Sequence, residues 1–215
     1  MTKKNVMYEG NSVAFEVEED DIRVNVTQVA KAFKKSACPS PENWLNTFQA
    51  KECLQIVANH NKCMPDELFS IRVVQDSMEV WLEGYTSTEY ARNISMDALV
   101  WVRRTLHDLF VERIKEQRMR NLAYIMNLFS SNKPISIPAL SGLFARVNNE
   151  ISEEMILDYL KEYGFVYKAR KGNRYVPNRK YCDLGFFAKV NYTKEIMLTG
   201  DGARYVFAKM MPTSK

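Results

Sequence analysis

The chain has 215 residues, 46% hydrophobic and 26% charged, ordinary values for a soluble protein long enough to bury one large core or two smaller ones. No apolar run approaches the ~20 residues of a membrane span, and the opening MTKKNVMYEG lacks the apolar core of a secretion signal, so the expectation is a cytoplasmic protein with no membrane partner. The net charge of +4 is unevenly divided: residues 1–118 hold 15 basic and 18 acidic side chains, residues 119–215 hold 15 and 8, and a basic second part of net +7 suits a polyanionic partner.

Residues 5–26 read as strands, with Val13, Phe15 and Val17 alternating with charged or small neighbours and Gly10-Asn11 supplying a turn. The acidic run Glu18 to Asp21 falls in the next bend. A short helix follows, with Val26, Val29, Ala30 and Phe33 on one face at i, i+3, i+4 and i+7 and Lys31, Lys34 and Lys35 away from it. Ser40 is placed to cap a second helix that has Pro41 at its first position. Trp44, Leu45 and Phe48 share a face that Ala50, Cys53, Leu54 and Val57 do not, so a break is expected between residues 46 and 49. Glu42, Asn43, Asn46 and Thr47 are then left outward, and asparagine can make a bidentate contact to an adenine edge in the major groove. The plainer reading of the same residues is two small helices on a core with a solvated lysine face.

After a loop at Pro65, LFSIRVV and MEVWLE form a second hairpin split by Gln75-Asp76-Ser77. Thr86 is placed to cap a short helix through Ile94, and Ser95 with Asp97 opens a longer one whose Leu99, Val102, Leu106 and Leu109 form an apolar stripe. That stripe is core or a seam for a homo-oligomer. The charged segment Glu112 to Arg120 contains no Gly or Pro to stop the helix, and the domain boundary is set within it, giving domains 1–118 and 119–215.

The second domain begins with Leu122, Ile125, Met126 and Phe129. From Ser136 the pattern is helix, turn at Asn148-Asn149, then a helix capped by Ser152 and closed by Gly164. A two-stranded ribbon around Gly172-Asn173 follows, which is the order of a winged helix. Lys168, Arg170, Lys171, Arg174, Arg179 and Lys180 lie on this wing with no acid among them, the segment best suited to phosphates. By contrast the helix in the usual recognition position carries Glu153, Glu154, Asp158 and Glu162 against Lys161 alone, so either the wing docks on DNA or this helix meets a protein. Two further strands, FFAKVNY and KEIMLT, and a helix capped by Thr199 complete the domain.

Catalytic and metal chemistry find little footing. The four cysteines, Cys38, Cys53, Cys63 and Cys182, form no C-x-x-C pair, and Cys53, His60 and Cys63 match no zinc spacing. There is no G-x-x-x-x-G-K-[ST], G-x-S-x-G or H-E-x-x-H, and no Asp-x-Lys or Glu-x-Lys. The expectation is a chain that is not an enzyme, with no catalytic residue, no metal site and no cofactor. Trp44, Trp81 and Trp101 read as core anchors.

Two sets of motifs resemble a known family. VNVTQVAKAF, Asn43 to Leu45, Trp81-Leu82 and Ala91 to Val102 resemble a KilA-N domain in order and spacing. YLKEYGFV, GNRYVPNRKYCDLGFF from Gly172 to Phe187 and LTGDGARYVFAKM from Leu198 to Met210 resemble a KilAC domain, and the second set is the more distinctive. The chain is thus similar to phage antirepressors and regulators that carry both. The resemblance implies an α+β fold, with a small mixed α/β domain holding a helix-turn-helix-like unit followed by a winged-helix-like domain. It further implies double-stranded DNA as partner in a bacterial host cell, and interference with a phage repressor protein. The chain departs from the pattern at Gln75-Asp76-Ser77, where a glycine-rich loop is usual, and at Asn46-Thr47, where basic residues are frequent.

Overall fold

The computed structural model describes residues 1–18, 21–33, 39–75, 77–131, 133–147, 151–170, 174–188 and 195–211. The fold is α+β, with antiparallel sheets, and divides into two compact units, residues 1–113 and 114–215. The long helix α5 (Met96–Phe129) contains this division and also residue 118, where the sequence places its boundary. Among the described residues no helix is long and apolar enough to cross a membrane.

Unit 1 is built on a five-stranded antiparallel sheet of order β1-β2-β3-β5-β4, from β1 (Thr2–Tyr8), β2 (Asn11–Val17), β3 (Ile22–Asn25), β4 (Phe69–Val74) and β5 (Ser77–Glu83). Tyr8 pairs with Asn11, so the first turn consists of Glu9 and Gly10, at φ 44° and 83°, one residue earlier than the expected Gly10-Asn11. Positive φ at both central residues is the mark of a type I′ turn, whose twist matches that of the flanking strands. The period-two pattern of Val13, Phe15 and Val17 holds. These side chains join Val24, Val80 and Leu82 on one face, under helices that supply Val29, Tyr90, Ala91, Ala98 and Val102.

The opposite face is charged. Arg72 makes a bidentate contact with Glu16, at 2.6 and 2.9 Å, and its guanidinium lies 4.9 Å from the ring centre of buried Trp81. This contact holds the Glu16 carboxyl below the usual carboxylate range. Lys3 lies 5.6 Å over the same indole.

Helix α1 (Val26–Phe33) begins where β3 ends, between β2 and β5. Its first turn fills the missing ladder positions: Thr27 Oγ1 accepts from the Val80 amide at 2.9 Å and Gln28 Oε1 accepts from the Ala14 amide at 2.8 Å. Val26, Val29 and Ala32 are buried, while Ala30 and Phe33 are half-buried, a small rotation from the expected stripe.

The expected break in the next segment is present, between α2 (Pro41–Leu45) and α3 (Phe48–Asn61). Thr47 is therefore not free: its hydroxyl caps α3 by accepting from the Ala50 amide. Phe48, expected beside Trp44, opens α3 and is 82% exposed. A 3-10 turn at Pro65–Leu68 leads into β4. Helix α4 (Gly84–Ile94) is capped by Glu83, whose carboxylate accepts from the Tyr85 and Thr86 amides, rather than by Thr86 as expected; Thr86 is buried and donates its hydroxyl to the Glu83 carbonyl. Ser95 caps α5 as expected. Leu99, Val102 and Leu109 of the α5 stripe are buried.

Unit 2 packs the end of α5 against β6 (Ile135–Ser136), α6 (Ile137–Ala145), α7 (Glu153–Glu162), the ribbon of β7 (Val166–Lys168) and β8 (Tyr175–Pro177), α8 (Arg179–Asp183), β9 (Met197–Leu198) and α9 (Gly200–Met210). Ile125, Phe129, Leu140, Phe144, Ile156, Leu160, Val206 and Phe207 form its core. Ser136, Ser152 and Thr199 cap α6, α7 and α9. Of the two strands expected after the ribbon, the described residues show only a bridge from Phe187 to Leu198 and the short β9, which pairs with β6. The close approach of α9 needs glycine: a Cβ on Gly202 would lie 2.0 Å from the Phe186 carbonyl oxygen. The expected Asn148-Asn149 turn lies outside the described residues.

Candidate nucleic-acid interface

The expected contact residues of unit 1 sit on α1 and α2. Lys31 is exposed in the last turn of α1; Lys34 and Lys35 lie outside the described residues. Asn43 is exposed, and among the described residues its carboxamide has no partner, so both its donor and its acceptor are available to a base edge. Asn46 is also exposed, but its Nδ2 donates to the Glu42 carbonyl at 3.0 Å, which commits one of its two amide hydrogens to its own helix. Among the described residues α1 and α2 thus present one cation, Lys31, beside one acid, Glu42.

Unit 2 carries more charge. Lys168 pairs with Tyr175 across the ribbon, and the Ala169 amide donates to the Arg174 carbonyl at 2.9 Å, bringing Arg170 and Arg174 to the ribbon's far end. Lys168, Arg170 and Arg174 are all exposed, while Lys171 lies outside the described residues. Arg179 and Lys180, expected on the wing, stand instead on α8 at the ribbon's root. They too are exposed, and at ~3.3 Å per residue Arg174 and Arg179 are no more than about 17 Å apart along the chain.

One residue holds this arrangement that the sequence reading passed over. Asn178 donates its own amide to the Phe165 carbonyl at 2.8 Å, donates Nδ2 to the Gly164 carbonyl at 3.2 Å, and accepts the Lys180 amide on Oδ1. It therefore joins the end of α7, the ribbon and α8. An asparagine directly after proline and before a polar run is a helix-cap signal that could have located α8. Tyr181 of α8 stacks on Phe165 at 4.1 Å, so the short helix is held by an aromatic contact from across the ribbon.

The acidic helix lies beside the ribbon. Glu153, Glu154, Asp158 and Glu162 are all exposed, and Ile156 and Leu160 point into the core. Glu153 and Glu154 occupy the first turn of α7, where negative charge stabilises a helix N-terminus. Lys161 lies 2.8 Å from Asp158 and 4.5 Å from the Tyr175 ring centre, and the hydrogen bond to Asp158 holds its ammonium pKa above the ordinary lysine value. Glu153, Glu154 and Glu195 share an open groove of about 380 Å³ with Arg174 and Tyr175.

Among the described residues no group of three or more His, Cys, Asp or Glu is placed to hold a metal ion. Burial pushes the Cys53 thiol up to about 11, the opposite of what a reactive thiolate needs; Cys38 lies outside the described residues. Trp44 is buried and Trp101 half-buried in the core of unit 1, whereas Trp81, also buried, lies on the charged face of the sheet under Arg72 and Lys3. Comparison of the chain with protein-family models, with curated proteins and with solved structures finds no match in any of the three.

Proposed function

We propose that the chain is a non-catalytic, double-stranded-DNA-binding regulator or antirepressor of phage type, with a KilA-N-like first unit and a KilAC-like, winged-helix-like second unit. The carrying observation is the set of five exposed cations, Lys168, Arg170, Arg174, Arg179 and Lys180, on a ribbon and a helix joined by Asn178. Phosphate contacts supply orientation and most of the affinity, while Asn43 and Asn46 in unit 1 are the side chains suited to base edges. If each of the five cations meets one phosphate, the slope of log K against log salt is about −4.5, or ~500-fold weaker binding at about 200 mM than at about 50 mM salt. Arg170→Ala with Arg174→Ala should reduce that slope by about 1.8 in a titration of random-sequence duplex. An unchanged slope removes the ribbon from the interface; no binding at low salt removes the DNA reading.

The exposed carboxylates of α7 favour a second reading, in which this helix covers a basic DNA-binding surface on a phage repressor. An excess of the chain would then release such a repressor from its operator, and Glu153→Lys with Glu154→Lys would abolish the release. A repressor that keeps full operator occupancy counts against this reading.

A further inference from the structure

The unit 1 sheet ends in two edge strands, β1 and β4. Charge on an edge strand discourages pairing; β1 carries Lys3 and Lys4, although Lys3 reaches back over Trp81 and Lys4 pairs with Glu112 at 2.7 Å. Edge strand β4, Phe-Ser-Ile-Arg-Val-Val, carries a single charge. Its one charge, Arg72, is drawn back over the sheet by Glu16 and Trp81, whereas Ile71 is 49% and Val73 74% exposed, with Met78 of β5 beside them at 53%.

The backbone of β4 is also poised for pairing. Val74 and Ser77 flank a two-residue loop and so form a hydrogen-bonded pair, which alternates back along the strand to Arg72 and Ser70. The amides of Ile71 and Val73 therefore face outward. The Val80 amide agrees: Val80 is opposite Ile71, and its N–H points away from β4 to Thr27.

We propose that two copies of this chain associate through antiparallel pairing of their β4 strands about a two-fold axis at Ile71, making one continuous sheet. In that register Ile71 meets Ile71 of the second copy, Val73 meets Phe69, and Arg72 meets Ser70. The amides of Ile71 and Val73 supply about four hydrogen bonds between the copies. Shifting the axis to Arg72 would set two guanidinium groups opposite each other, a repulsion that selects the register at Ile71. An open groove of about 630 Å³ beside β4 is lined by Phe69, Ile71 and Met78 and also by the polar side chains Glu42, Asn46 and Lys51. The association depends on no functional assignment and holds whether or not the chain binds DNA.

Sedimentation of the full chain tests this. The expected result is a dimer whose dissociation constant rises about tenfold or more in Ile71→Lys, which sets two lysines opposite each other, and in Val73→Lys. Both sites are exposed enough for the variants to keep the parental tryptophan fluorescence, and Val73→Lys decides should Ile71→Lys fail to fold. Under mild oxidation Ile71→Cys should give a covalent dimer that the parental chain does not, because opposed residues of a hydrogen-bonded pair stand about 5.5 Å apart, within disulfide reach. A chain that stays monomeric at every concentration overturns the proposal. So does a dimer that survives both lysine variants and leaves Ile71→Cys uncrosslinked.

Discussion

Replacing Arg72 by methionine removes two charge-assisted hydrogen bonds, of 2.6 and 2.9 Å, and strands the Glu16 carboxylate, whose side chain is 4% exposed. Breaking a fully buried ion pair from one side costs roughly 3–5 kcal/mol. The Arg72 side chain is 38% exposed, so water already reaches the guanidinium and the expected loss is about 2–4 kcal/mol, including the lost stacking on Trp81. In the parent the Glu16 pKa is lowered, so the pair contributes fully above the unfolded carboxylate pKa of about 4.3 and is lost as pH falls through the folded value. In the variant, burial without the guanidinium pushes the same carboxyl upward. The deficit is then greatest at neutral pH and shrinks toward about pH 4, where a protonated Glu16 needs no cation. Trp44, Trp81 and Trp101 all lie in unit 1, so tryptophan fluorescence during urea titration reports that unit alone. A deficit below about 1 kcal/mol at neutral pH, or one that acid leaves unchanged, refutes the pairing as a stabilising contact. Glu16→Gln added to Arg72→Met should recover most of the loss.

Asn178→Ala should cost about 1–2 kcal/mol through the lost cap and the lost bond to Gly164, seen as faster hydrogen exchange of the Lys180 amide, and should weaken duplex binding as α8 frays. Parental exchange at that amide would show the cap to be idle. Gly202→Ala drives a methyl into the Phe186 carbonyl and should destabilise unit 2 by about 3 kcal/mol or more; a melting temperature within about 2 °C of the parent would contradict the close approach.

Much of the local structure was legible because it rests on local signals. Period-two alternation marked β2, a change of apolar phase marked the break between α2 and α3, and single hydroxyls marked the helix starts at Ser40, Ser95, Ser152 and Thr199. Helix α8 was not legible in this way: it is five residues long, has no buried face of its own, and is held by Phe165 stacking on Tyr181. The Glu83 cap was hidden because that residue also ends β5, so its strand role masked its helix role. The basic segment of the candidate interface could be read from composition. Its division between ribbon and helix could not, since it depends on Asn178 bonding to Gly164, fourteen positions earlier.

The seating of α1 in the sheet bears on the order in which the chain can fold. Its first turn is complete only when Thr27 has found Val80, 53 positions later, and Gln28 has found Ala14, 14 positions earlier. A chain emerging from the ribosome can form the β1–β2 hairpin at once, but α1 has no second wall until the β4–β5 hairpin arrives. Such a long closure slows the search and makes arrival of the second hairpin the step that locks the first half of the unit. Until then the β3 edge that β5 will cover stands open, and a growing chain is most exposed to mispairing during the synthesis of residues 34–80.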